Sequence, residues 1–355
     1  MRTAPLDAET LEKLISAAGA APSIHNTQPW RFRLDPDTST LEVRAAVDRG
    51  LRHVDPMGRA VHLSVGAALF NLRVAVAHFG WDPVLRLLPD PAEPDLLASV
   101  RLAGPLPTGA RRDRQDLYDA IWRRHSSRLP FSEQALPAQV LTELAEAADA
   151  EGARLVRPAA EETARLLEFT TEAERRGMSD SDRRAESRSW IREGSADGLP
   201  GRALGPQDSA GRLPLRDFSA LRPENYQPSA AFERQPVIAV LSTCHDRPAD
   251  WLRAGQALEH VLLVATAHTV RASLLHQALE WDDLRWLLRD PRGGMEHVQM
   301  LIRLGYGPEG PATPRRPVAD VTDAGTHTPE GLSGGSRTAP STPGTHARRV
   351  AGIPE

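Results

Sequence analysis

Apolar residues recur at helical spacing through "LDAETLEKLISAAGAA" (Leu6 to Ala21), with Asp7 placed to cap the first turn, and they alternate with polar ones in "WRFRL" from Trp30 and "LEVRAAV" from Leu41. This predicts a helix followed by two strands, each with one buried face. The apolar stretch "HLSVGAALFNLRVAVAHFGW" from His62 predicts a second, longer helix, and another strand signal follows before about residue 110. From about Glu161 to Phe232 a charged helix gives way to Gly, Pro, Asp, Ser and Arg around "REGSADGLPGRALGPQDSAGRLPLRDF". That composition predicts a long excursion burying little core. Strand character returns at "VIAVLST" from Val237, and after about Asp320 the chain becomes poor in apolar residues and rich in Gly, Ser, Thr and Pro, which predicts a disordered tail.

The apolar pattern repeats. "LEKLISAAGAA" from Leu11 matches "LTELAEAADAE" from Leu141 at an offset of 130, pairing Leu11 with Leu141 and Leu14 with Leu144. "GAALFNLRVAVAH" from Gly66 matches "GQALEHVLLVATA" from Gly255 at 189, and "VRLAGP" around Arg101 matches "IRLGYGP" around Arg303 at 202. Three matches in one order make a duplicated α+β unit the better reading. The step from 130 to 189 predicts about 59 extra residues in the second copy, and the excursion is where they fit.

Two polar clusters break the repeat. At an offset of 130, Ser23 to Asn26 of "APSIHNTQPWRF" face Ala153 to Val156, so the second copy lacks that cluster. Conversely "RRHSSRLPF", Arg123 to Phe131, stands ahead of the second copy's first helix and has no counterpart in the first. Each half thus carries one half of something. Guanidinium groups and hydroxyls this close together suit a phosphate dianion, because Arg offers forked, charge-assisted donors and Ser a hydroxyl beside them. "TPRRP", Thr313 to Pro317, follows the last strand signal and could fold back to the same anion.

Composition removes other chemistries. A net charge of -4 with scattered arginines argues against a nucleic-acid surface. Lys13 is the only lysine, so no P-loop or Schiff-base lysine is available beyond it. The histidines lack metal-ligand spacing, and no metal is expected; "HLSVG" has His62 where a nucleophile elbow needs its first glycine, which disfavours a serine hydrolase. Cys244, beside "VIAVLST", is expected to be a core thiol. "MRTAPLDAET" has no apolar core of signal-peptide length, and the run "VLLVATAHTV" is far short of a membrane span, so a cytoplasmic protein with no membrane partner is expected.

"APSIHNTQPW", "RRHSSRLPF" and "LIRLGYGP…TPRRP" together resemble the signature segments of the nitroreductase family of FMN-binding oxidoreductases, and their arrangement in one chain resembles its Acg-type branch, over about residues 6 to 320. The resemblance implies FMN bound between two nitroreductase-like halves. Arg124, Ser126 and Arg128, with Arg315 or Arg316, would hold the phosphate, while Pro22, Ser23 and Asn26 would reach the flavin from the other half. Gln28 and Trp30 would fix the loop's shape, and His25 would stabilise it or move a proton. Ile24 stands where relatives carry a second serine. Residues 228–235 and 273–277 are candidates for approaching the pyrimidine edge of the flavin.

The expectation is an α+β nitroreductase-like fold in two tandem degenerate copies resembling a fused homodimer. The first half is expected over residues 1–113 and the second over 114–320, with a lid-like insertion at about 160–235 and a tail at 321–355. The expected function is FMN-dependent reduction of small electron-poor molecules, nitroaromatic or quinone-like, by NAD(P)H, in a monomer without nucleic-acid partners and without an assigned catalytic residue. The alternative is an FMN-binding or storage protein with a closed lid and little turnover.

Overall fold

A computed structural model of the chain describes residues 6–105, 115–218, 228–289 and 296–323. The first helix α1 (Ala8–Gly19) is capped by Asp7, whose carboxylate accepts Thr10 N–H at 2.7 Å. It is followed by β1 (Trp30–Asp35), β2 (Thr40–Ala45), α2 (Arg59–His78), β3 (Trp81–Leu87) and β4 (Leu96–Pro105). Next come α3 (Gln115–Arg123), α4 (Ala138–Asp149) and β5 (Arg154–Val156). The excursion carries α5 (Ala160–Ser179), α6 (Ser181–Ser189) and the short pair β6 (Gln207–Asp208) and β7 (Ser229–Ala230). The chain then resumes with β8 (Val237–Thr243), α7 (Pro248–Ala267), β9 (Arg271–Leu275), α8 (Asp282–Leu287), β10 (His297–Gly305) and α9 (Val318–Val321).

Two four-stranded antiparallel sheets share one order. The first runs β1-β2-β4-β3 and the second β5-β8-β10-β9, so each half reads helix, strand, strand, helix, strand, strand with the fourth strand inserted beside the second. The α1 and α4 helices, Ala8–Gly19 and Ala138–Asp149, sit at the offset of 130 read from the sequence. That register does not persist beyond them. The chain goes from α4 to β5 through Ala150 to Ala153, whereas Ala20 to Pro29 separate α1 from β1, so Arg154–Val156 is the partner of β1 rather than of the polar loop.

Helices α2 and α7 cross in the middle of the molecule. A Cβ on Gly66 would strike the Leu252 carbonyl oxygen, and one on Gly255 would strike that of Leu63. Both contacts relate positions 189 apart (Gly66 to Gly255, Leu63 to Leu252), so the crossing is near-symmetric. Helix α2 has the length and hydropathy of a membrane span, a match that the sequence reading of "VLLVATAHTV" passed over, but it is mostly buried as a core helix.

The excursion corrects an expectation. It buries Leu166, Ala173, Leu213, Leu215 and Phe232 against Ile238, Val240, Val298 and Leu301, on the face of the second sheet opposite α7. This is why β8 and β10 are apolar on both faces, whereas β1 alternates Trp30, Phe32 and Leu34 inward with Arg33 outward. Two smaller clusters hold Ile191, Leu199, Leu204 and Phe218, and Trp190 against Leu51 and Val54. Cys244 is exposed rather than buried, because β8 ends at Thr243 and the cysteine begins the following loop. Residues 321–323, placed in the expected tail, pack against the first half: Val321 is buried, and Asp323 N–H donates to Phe32 O at 2.9 Å, while residues 324–355 lie outside the described residues, as does the expected boundary at 113/114.

Candidate functional site

The loop between α1 and β1 is held in an unusual backbone. His25, Asn26 and Gln28 all have positive φ, at 49°, 54° and 50°. Non-glycine residues there cost about 1–3 kcal/mol each and persist only where surroundings over-determine them. The surroundings come from within the loop and from two distant segments. Ser23 Oγ accepts Gln28 N–H at 2.9 Å within the loop. From the excursion, Asn26 Nδ2 donates to Gly198 O (2.9 Å), Gln28 Nε2 to Ala196 O (3.0 Å), and His25 Nε2 lies 3.2 Å from Ser187 Oγ. From the C-terminal segment, Asn26 Nδ2 also donates to Pro314 O (3.0 Å), Asn26 Oδ1 accepts from Arg315 (3.0 Å), and Gln28 Oε1 accepts Arg316 N–H (2.8 Å). Trp30 is fully buried in the first core and anchors the loop's exit.

The segment Arg124 to Phe131 leaves α3 along the edge of the second sheet, where Ser127 N–H donates to Ala272 O at 2.8 Å. Its path is set by backbone packing: a Cβ on Gly205 or Gly310 would collide with Arg128 or Ser126. Behind it, buried Arg303 pairs with Glu233 (2.6 Å), stacks 3.8 Å over the Phe131 ring and donates to Leu129 O.

Loop and segment face each other across a cleft with two lobes that share Pro22, Ser23, Ser126 and Arg128. One lobe is walled by Asn26, Arg124, His125 and Arg315. The other, larger lobe is lined by the apolar Leu63, Ala67, Leu258, Leu274 and Met300 together with the ionisable Asp55, Arg59, His276 and Glu280.

The first lobe has an excess of positive charge. Burial, with Arg124 nearby, pushes Arg315 down to about 9, and burial, with Arg216 nearby, pushes Arg128 down to about 10. The adjoining carboxylate is Glu259 on α7, fully buried and itself pushed up to about 7 by burial against the pull of Arg124. Arg124 Nε lies 3.3 Å from Glu259 Oε1 but is not aligned to hydrogen-bond with it, Asn71 also acts on the Glu259 carboxyl, and Arg124 Nε and Arg315 Nε have no hydrogen-bond partner among the described residues. Arg124 and Arg315 both donate to Ala20 O and Arg128 to Ala203 O, and Arg315 also donates to Asn26 Oδ1 and to the Thr313 hydroxyl. An anion placed here meets unused donors and relieves cation repulsion.

Of the residues singled out from the sequence, Pro22, Ser23, Asn26, Arg124, Ser126, Arg128 and Arg315 line the cleft. Arg316 does not: its guanidinium reaches the Asp320 carbonyl, and its backbone serves Gln28. Of the two segments proposed for the pyrimidine edge, Ser273, Leu274 and His276 line the larger lobe, whereas Phe232 and Glu233 belong to the packing behind the Arg124–Phe131 segment. Sequence reasoning missed Glu259 and Glu280, and had His276 only as one of the residues of the 273–277 segment. The spacing from His276 to Glu280 was the available signal. Among the described residues, no cluster of His, Cys, Asp or Glu suits a metal ion.

The nitroreductase family model matches residues 2–46, the span containing the left-handed loop. A Mycobacterium tuberculosis H37Rv protein provisionally named an NAD(P)H nitroreductase is 34% identical over 328 residues, covering 89% of this chain and 92% of its own length. The Acg protein of the same strain, also provisionally named an NAD(P)H nitroreductase, is 31% identical over 320 residues, covering 88% of this chain and 95% of its own. Among solved structures, an Anabaena variabilis protein provisionally described as a nitroreductase aligns over 84% of this chain and 88% of its own, with a TM-score of 0.46 and 13% identity. An FMN-dependent nitroreductase from Mycobacterium smegmatis, solved with NADPH, aligns over 59% of this chain and 98% of its own, with a TM-score of 0.36 and 19% identity. Identity above 30% along nearly the full length of these relatives settles the kinship: the chain belongs to the nitroreductase family.

Proposed function

We propose that the chain is an FMN-dependent oxidoreductase that takes reducing equivalents from NAD(P)H and passes them to small electron-poor molecules, nitroaromatic or quinone-like. The observation that carries the reading is the two-lobed cleft, in which Arg124, Arg128 and Arg315 gather at one end, with Arg124 Nε and Arg315 Nε unpartnered among the described residues, while Leu63, Ala67, Leu258, Leu274 and Met300 line the other. A phosphate dianion on a flat, largely apolar ring system matches both ends. In this reading Arg124, Ser126, Arg128 and Arg315 hold the phosphate, and Pro22, Ser23 and Asn26 fix the chain and ring edge from the opposite half. When bound, FMN supplies hydride chemistry, and the protein supplies orientation and exclusion of water. The fused-dimer reading is supported by the shared strand order and the near-symmetric glycine crossing. It makes residues 1–113 and 114–320 two halves of one site, gives one FMN per chain, and leaves a monomer, because the interface is internal. Cytoplasmic placement accompanies the proposal and is checked by fractionation. Absorbance titration of the purified chain with FMN tests the assignment: saturable binding with a shifted flavin spectrum supports it, and no binding at micromolar concentrations sinks it.

One observation favours the storage reading. The excursion is tied over the loop by Asn26 to Gly198, Gln28 to Ala196 and the Arg49–Asp197 ion pair, which keeps residues 196–198 against the cleft wall. Turnover measured before and after loosening these ties separates the two readings.

A further inference from the structure

The larger lobe is lined by ionisable groups far more densely than cofactor binding requires. His276 lines the lobe, and its Nδ1 lies 2.6 Å from Glu280 Oε1, close but bent from a straight hydrogen bond. Glu280 is in turn held from the excursion, by Arg216 on the same oxygen and by Arg183 at 3.7 Å on the other. Around this pair stand His25, its ring 6.1 Å from that of His276, together with Arg59 and Asp55 from the N-terminal end of α2 and Arg128 from the opposite wall. A carboxylate at Nδ1 orients the imidazole and leaves Nε2, which no described residue engages, for whatever enters the lobe. Arg59 spends Nη1 on Gln299, at 2.9 and 3.0 Å, and stands on the same wall.

We infer that His276 is the acid–base group of this cleft, protonating the carbonyl oxygen of a quinone-type acceptor seated beside Arg59, with Glu280 and Arg216 as positioning residues; this rests on the flavin reading above. Reduction of a quinone to a hydroquinone adds two electrons and two protons. A hydride brings both electrons and one proton to the ring, and His276 Nε2–H brings the other proton to oxygen, leaving neutral imidazole that recovers a proton from solvent. Burial holds His276 below its ordinary range, opposed by Glu280, while Arg216 and burial act on Glu280 in opposite senses and the carboxylate stays ionised. The protonated form is therefore favoured toward acid, and the proton-dependent step should slow as pH rises.

The full-length chain loaded with FMN is reduced anaerobically and reoxidised with benzoquinone from pH 5 to 8, while histidine NMR follows the same protein. Reoxidation should fall with rising pH, tracking a resonance that is missing in His276→Gln. His276→Gln, compared with wild type at equal FMN occupancy, should reoxidise about 100-fold more slowly with no pH dependence. Glu280→Gln, which also serves if His276→Gln fails to fold, should move both the NMR titration and the kinetic limb to lower pH. An unchanged pH profile in His276→Gln, or an unmoved titration in Glu280→Gln, overturns the assignment and leaves the flavin reading standing. A chain that binds no FMN overturns both.

Discussion

Gly66 and Gly255 meet where α2 and α7 cross, with their Cα atoms so close that neither position has room for a side chain. Alanine at position 255 would gain about 1 kcal/mol of helix propensity. Against that, overpacking costs about 1–3 kcal/mol, and more where the obstacle is backbone, as the Leu63 carbonyl is. Gly255→Ala should therefore lower the thermal midpoint; an unchanged or raised midpoint in calorimetry would show that the helices can part freely.

Phosphate recognition separates the arginines from the loop. Arg124 is buried against Glu259, so Arg124→Ala is best made with Glu259→Gln to avoid stranding a charge. Against Glu259→Gln alone, that variant should lose roughly 1.5–3 kcal/mol of FMN affinity while riboflavin changes little, as expected for one charge-assisted contact. Asn26→Ala should weaken both ligands alike, since Asn26 shapes the loop through Gly198, Pro314 and Arg315. Equal losses of FMN and riboflavin in the arginine variant would remove the phosphate assignment.

Glu259 gives the pH dependence a sign. Its folded value of about 7 lies above the ordinary 4.5, so its contribution to stability is complete below the unfolded value and is lost as pH rises through 7. A dianion bound at Arg124 raises it further, coupling FMN binding to proton uptake. Above pH 7, where the phosphate is already doubly ionised, FMN affinity should fall by up to tenfold per pH unit, and Glu259→Gln should flatten that slope. A flat slope in the unaltered chain, measured by isothermal titration in two buffers, would contradict the coupling.

Asp197 links the excursion to the first half through Arg49, and Arg192 and Ser195 converge on the same carboxylate. Asp197→Ala should speed amide exchange over residues 190–204 and accelerate reoxidation by bulky quinones more than by small ones. Unchanged exchange there would show that the ties to Asn26 and Gln28 suffice without it.

Much of this arrangement was legible. The helix pair at 130 and the glycine pair at 189 fall where α1 with α4 and α2 with α7 lie, because helical spacing and close-packed glycines leave a periodic trace. The excursion's core was not, although β8 and β10 carried the clue: strands apolar on both faces need two covers, and the covering residues Leu213, Leu215 and Phe232 sit in irregular chain without a period to reveal them. Arg315 and Arg316 are adjacent and chemically identical, so only the fold shows which one reaches the cleft. Glu259 was hidden for a different reason. One carboxylate in an apolar helix reads as a solvated face until the partner helix and Arg124 close over it.

The central claim is that two unlike halves build one site. Isothermal titration of the full-length chain with FMN tests it most directly. Saturation is expected at one FMN per chain, whereas two equivalent sites per chain would contradict a single composite site.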